Sequence, residues 1–160
     1  MSSPSDFLSM FSLQGKRALV TGGGGVLCRV IGRGLAQAGA EVVLADIRGE
    51  AANEVANGLK KEGLRAQAMQ LDVLNTDSLQ KAAETLNAQG GIDILLNGAG
   101  GNQKAATVSP EVSFFDLPED ALRRVVDLNL FGIIKPSQVF GKMMAGNPKG
   151  GAILNISSIS

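Results

Sequence analysis

Apolar positions recur along the chain in two alternating rhythms, and the alternation predicts the fold. Arg17-Ala18-Leu19-Val20 is a short apolar run ending at a glycine cluster, as a strand buried on both faces does. Leu27, Ile31 and Leu35 follow at i, i+4 and i+8, with Val30 and Ala38 beside them: the apolar stripe of a helix. Gly39 stands where its C-terminal cap would be. A second strand over 41–45 ends at Asp46, and Ala52, Val55, Ala56 and Leu59 give a second helix that closes near Gly63. Residues 66–71 form a weaker third strand that ends at Asp72.

Asp77 can cap a third helix, with Leu79, Ala82, Ala83 and Leu86 inward and Gly90-Gly91 ending it. Residues 92–96 are a fourth strand running into Asn97-Gly98-Ala99-Gly100-Gly101, and an irregular stretch covers 102–117. Pro118-Glu119-Asp120 has the chemistry of a helix start. Leu122, Val125, Val126, Asn129 and Ile133 share a face of that helix, which continues past Pro136 with a kink. A turn over 147–151 leads to a fifth buried strand, 152–156. Strand alternating with helix through short connections predicts one doubly wound α/β domain over 15–160, its parallel sheet covered on both faces. Residues 1–14 lack a period and form a loosely held lead-in.

Composition narrows the function. The 160 residues are 44% hydrophobic and 19% charged, ordinary for a globular domain. Fifteen basic and fifteen acidic residues balance, so the chain lacks the basic face that a nucleic-acid partner requires. No apolar run is long enough for a membrane helix, and 1–11 resembles neither a signal peptide nor an anchor. One cysteine, Cys28, allows no internal disulfide and makes the cytoplasm the natural compartment. With no His, an imidazole-based metal site and a Ser-His-Asp triad are both excluded, and no metal is expected.

The candidate chemistry lies between the first strand and the first helix. In Thr21-Gly22-Gly23-Gly24-Gly25-Val26-Leu27-Cys28, glycines can let a pyrophosphate approach the backbone and rest on the positive end of the helix. The plain alternative is a flexible turn. Asp46, at the end of the second strand, can accept both hydroxyls of an adenosine ribose and would repel a 2′-phosphate; alone it could equally be a loop charge. Together these features predict NAD, with NADP disfavoured, although Arg48 lies close to Asp46. Cys28 is either a thiol activated by a helix N-terminus or, more simply, a small packed residue. Asn129, an amide on an apolar helix face, must find partners if buried, whether in a reaction or with backbone.

In these residues the chain resembles the short-chain dehydrogenases/reductases. Thr21-Gly22 opens their glycine motif, and the Thr-Gly-Gly-x-Gly-Val-Leu form is similar to a branch typified by D-mannonate oxidoreductase (fructuronate reductase); Cys28 departs from it. Asp72-Val73, Asn97-Gly98-Ala99-Gly100, Asn129-Leu130-Phe131-Gly132 and Asn155-Ile156-Ser157-Ser158 match further motifs in order. The resemblance implies a Rossmann-type three-layer αβα fold with strand order 3-2-1-4-5, its last strands lying beyond this sequence. It implies hydride transfer between NAD and a CH–OH/C=O group of a small-molecule substrate, here a sugar acid. Thr21, Gly22, Gly23, Gly25, Val26, Leu27, Asp46, Asp72, Val73, Asn97, Ala99 and Gly100 would hold the cofactor. Ser158 would orient the substrate oxygen and Asn129 would hold a relay water. The family's Tyr-x-x-x-Lys pair should follow Ser158, and the sequence has no Tyr, so these 160 residues alone are expected to be inactive. A homodimer or homotetramer is implied through the helix from Pro118 towards Met144. The alternative is a dinucleotide-binding or assembly module without chemistry.

Overall fold

The computed structural model describes residues 9–157. Five parallel strands, β1 (Arg17–Thr21), β2 (Glu41–Asp46), β3 (Ala66–Gln70), β4 (Ile94–Asn97) and β5 (Ala152–Asn155), form one sheet in the order β3-β2-β1-β4-β5. The helices are α1 (Val26–Gln37), α2 (Gly49–Lys61), α3 (Thr76–Ala88), α4 (Glu119–Val126) and α5 (Gly132–Ala145), with one turn of π-helix, Asp127–Phe131, joining the last two.

Alternation along the strands builds two cores. Ala18, Val20, Val42, Leu44 and Leu96 pack beneath α1 and α2, while Leu19, Val43, Leu95, Phe140 and Met144 pack on the face of α3 and α5. Leu13 joins the first core and its N–H donates to Ala38 O at 2.8 Å, so the end of the lead-in is held rather than loose. Gly39 follows the C-cap of α1 with φ 104°, as expected of a glycine closing a helix.

Several local expectations are corrected. The inward stripe of α1 is Cys28, Gly32 and Ala36, with Ile31 and Leu35 only flanking it and Leu27 and Val30 exposed. Small residues let α1 lie close to the sheet; a Cβ at Gly32 would come within 2.8 Å of Leu44 Cδ2. The inward face of α4 and α5 is likewise displaced, running through Ala121, Gly132, Pro136, Phe140 and Met144, while Leu122 and Val126 face outward. The irregularity lies at 127–131, ahead of Pro136, through which α5 passes; Pro136 has no N–H for the Gly132 carbonyl one turn back. Asn75, not Asp77, caps α3: its side chain accepts from Ser78 N at 3.0 Å. Finally, β5, one of the two edge strands of the described sheet, is exposed at all four residues, whereas β3 at the other edge is largely covered.

Candidate dinucleotide site

Strand order reverses between β1 and β4, and a cleft of about 1130 Å³ opens above their C-terminal ends. Gly22, Gly25, Val26, Leu27, Asp46, Asp72, Val73, Ala99, Gly100 and Asn129 all line it. Ser158 lies outside the described residues; its neighbours Ile156 and Ser157 line the cleft. Thr21, Gly23 and Asn97 do not line it, and each holds a wall in place instead.

Thr21 is wholly buried, and its Oγ1 accepts the N–H groups of Gly98 and Ala99 at 3.0 and 3.2 Å, fixing the turn after β4 against the end of β1. Asn97 donates from Nδ2 to Ser137 Oγ and to Asn155 Oδ1, both at 2.9 Å, joining β4 to α5 and β5. Protein neighbours already exclude side chains at two glycines of the first turn. A Cβ at Gly22 (φ 68°) would lie 2.7 Å from Gly98 O, and one at Gly23 would lie 2.9 Å from Leu44 Cα.

The turn's N–H groups are largely spent on the protein. Gly23 N donates to Ala45 O at 2.9 Å, Gly24 N to Asp46 Oδ2 at 3.1 Å and Gly25 N to Gly22 O at 2.9 Å. The donors left for an anion belong to the first turn of α1, where Val26 and Leu27 face the cleft. Gly25 caps α1 without a side-chain hydrogen bond, and the first turn carries no acidic residue. That end is therefore open to an oxyanion.

Asp46 is only 7% exposed. Its Oδ1 accepts the Arg48 N–H at 3.0 Å and lies 3.5 Å from the Arg48 Nε, so the guanidinium that shadowed the cofactor expectation partners this carboxylate. Asp72 accepts from Leu74 N at 2.9 Å, shaping the end of β3 beside Val73. Asn129 is exposed, yet its amide is fully partnered. Its Oδ1 accepts from Gly101 N at 3.1 Å, and its Nδ2 donates to Gly101 O and Val125 O, both at 2.8 Å. The amide's partners are all backbone, and they bind the turn after β4 to the π-helical segment.

Cys28 is buried and donates to Gly98 O at 3.6 Å. Burial first, then the charge of Asp46, pushes its thiol upward, so the packed reading holds and the activated one does not. Sequence reasoning missed several lining residues, among them Ile47, Leu74, Gln103, Arg124 and Leu128. An apolar residue directly after Asp46, 61% exposed, was a usable signal for Ile47; nothing marked Arg124, which reaches the cleft only through the fold. Among the described residues no group of three His, Cys, Asp or Glu could hold a metal ion, and no helix is long and apolar enough to cross a membrane.

The short chain dehydrogenase family model matches residues 16–160. The 7alpha-hydroxysteroid dehydrogenase of Escherichia coli is 36% identical over 149 residues, covering 92% of this chain and 55% of its own length. A Haemophilus influenzae protein described as a D-mannonate oxidoreductase, solved with bound NAD, superimposes with a TM-score of 0.86 at 34% identity, over 96% of this chain and 58% of that one. A gluconate 5-dehydrogenase from Burkholderia cenocepacia, in complex with NADP and tartrate, gives 0.82 at 33% identity, over 95% and 57%. The chain thus spans little more than half the length of these relatives.

Proposed function

The chain belongs to the short chain dehydrogenase family, and from that premise we propose that it carries the dinucleotide half of an NAD-dependent oxidoreductase acting on a sugar acid. The observation that carries this reading is the uncapped N-terminus of α1 opening, beside the Asp46 carboxylate, onto a cleft at the reversal point of the sheet. These groups suit a pyrophosphate and an adenosine ribose respectively. When bound, the nicotinamide would supply or accept the hydride.

The chain's own residues bind and orient. Val26 and Leu27 offer backbone N–H groups to the pyrophosphate, Asp46 accepts from the ribose, and Asp72 with Val73 borders the adenine side. Asn129 holds the turn carrying Ala99, Gly100 and Gly101, while Ser158 is assigned to orient the substrate oxygen. A carboxylate at Asp46 disfavours a 2′-phosphate, which supports NAD over NADP, although related structures contain either cofactor. The sugar-acid substrate draws on the mannonate and gluconate relatives. A homodimer or homotetramer is supported by Leu122, Val126, Leu130 and Ile134, exposed apolar residues of the α4–α5 region. We place the protein in the cytoplasm on its single cysteine. A non-catalytic dinucleotide-binding or assembly module is the second reading, favoured by the Asn129 amide, whose partners are all backbone and tie it to the turn after β4.

Fluorescence titration tests the cofactor assignment. NADH should bind at least tenfold more tightly than NADPH, and Asp46→Ala should weaken NADH binding and narrow that gap. Equal or tighter NADPH binding by the unmodified protein would overturn the choice of NAD; failure to bind either would overturn the dinucleotide reading.

A further inference from the structure

The bond between Gly24 and Asp46 is a contact that ribose recognition does not require. Gly23 and Gly25 give their N–H groups to backbone carbonyls, of Ala45 and Gly22, whereas Gly24 gives its N–H to the Asp46 side chain at 3.1 Å in a buried setting. Gly24 is wedged in place: a Cβ there would lie 2.7 Å from Ala51 Cβ and 3.1 Å from Asp46 Oδ2. The Gly24 N–H belongs to the Gly23–Gly24 peptide, so the Asp46 bond fixes the backbone just ahead of Gly25, the N-cap of α1 with ψ 165°, where the chain enters the helix. That entry aims the Val26 and Leu27 N–H groups, the donors still open to the cleft.

We propose that Asp46 is a positioning residue for the pyrophosphate as well as the acceptor for the ribose: one carboxylate fixes the glycine turn and reads the sugar. Its Oδ2 takes the Gly24 N–H and its Oδ1 the Arg48 N–H at 3.0 Å. An ionised carboxylate has about four acceptor positions; two go to backbone N–H groups, and the exposed Arg48 side chain, whose Nε lies 3.5 Å from Oδ1, is the partner that a ribose diol at the cleft would displace. A neutral amide cannot replace it. Asn accepts at one atom only and would turn its –NH2 against one of the two backbone N–H groups, leaving that donor without a partner.

The inference rests on the dinucleotide reading, and the test separates the two. Adenosine, which has the ribose but no phosphate, and ADP, which has both, are competed against NADH in the unmodified protein and in Asp46→Asn. If the carboxylate also fixes the turn, ADP affinity should fall about tenfold further than adenosine affinity, the loss of roughly one charge-assisted hydrogen bond. The Gly24 amide should also exchange with solvent faster in the ligand-free variant. Equal losses for adenosine and ADP, or unchanged exchange at Gly24, would overturn the proposal while leaving the ribose role intact. An unmodified protein that binds neither ADP nor NADH would overturn both readings. Should Asp46→Asn fail to fold, Asp46→Ser is read in the same way.

Discussion

The sulfur of Cys28 occupies the volume that a side chain at position 98 would need. A Cβ built at Gly98 would overlap Sγ, and would also lie 3.1 Å from Thr21 O and 3.2 Å from Leu96 Cδ2. The thiol donates to the carbonyl of the same glycine. Residue 28 on α1 and residue 98 after β4 are thus fitted to one another across the floor of the cleft. Gly98→Ala should destabilise the protein by about 1–3 kcal/mol, the usual range for overpacking. Removing the sulfur should relieve part of this, so the pair Cys28→Gly, Gly98→Ala should cost less than the sum of its single changes. Denaturant melts of the four proteins measure the coupling; strict additivity would show that the backbone yields and the fit is not shared.

Asn129 gives a prediction that separates binding from stability. Its amide brackets both backbone groups of Gly101, and Asn129 is exposed, so water can replace those bonds in the unfolded and the substituted protein. Asn129→Ala should lower the melting temperature little and weaken NADH binding about three- to tenfold, as an ordinary hydrogen bond would. Unchanged NADH affinity would mean that the turn after β4 is held without it.

At the opposite end of the sheet, Asp93 sets an acid limit. Its Oδ2 accepts the Arg17 N–H at 2.9 Å, and its Oδ1 meets Lys16 Nζ at 3.3 Å and Asn147 Nδ2 at 3.1 Å. Burial raises its pKa, but the Arg17 N–H, then Lys16 and Asn147, outweigh that and hold the carboxyl below its ordinary value. A pKa lower in the folded state means stability that is present above the unfolded value, about 3.9, and lost as pH falls through the folded one. Asp93→Asn should lower stability at pH 7 by about 1–3 kcal/mol and flatten its decline below about pH 4. An unchanged acid profile in urea melts would remove Asp93 from that account.

The order of elements was legible because buried parallel strands are short, nearly continuous apolar runs, and β1, β2 and β4 are of that kind. The sides of the helices were not. In α1 the contact with the sheet is made by Cys28, Gly32 and Ala36, which a search for large apolar residues passes over. In α4 and the π-helical turn after it, the larger apolar residues Leu122, Val126 and Leu130 point outward. A turn of π-helix also shifts register by one residue, and no residue pattern announces it. Most of the site residues marked by the motifs do line the cleft, but their division of labour was not legible. Thr21, Gly23 and Asn97 act within the walls through hydrogen bonds and close packing between strands distant in sequence.

The final prediction concerns turnover: these 160 residues alone should bind NADH yet reduce no carbonyl. Hydride transfer to a carbonyl builds negative charge on its oxygen, and a positioned acid typically contributes a factor of about 10² to 10⁴ by neutralising it. The sequence contains no Tyr and no His. Cys28 cannot substitute, since it is buried, packed on Gly98 and shifted upward in pKa by burial and by Asp46. Asn129 does not titrate, and its amide is engaged with Gly101 and Val125. A serine hydroxyl at Ser158 can donate a hydrogen bond but is far too weak an acid to deliver the proton. The exposed β5 edge also leaves the Ile156–Ser157 side of the cleft open to water, which weakens every electrostatic contribution there. NADH oxidation with a panel of keto sugar acids should therefore be at background for the 160-residue chain. It should appear in a longer chain that supplies the Tyr-x-x-x-Lys pair, and Ser158→Ala in that chain should remove most of it. Substantial turnover by the purified 160-residue chain would mean that the catalytic groups lie among residues assigned here only to binding.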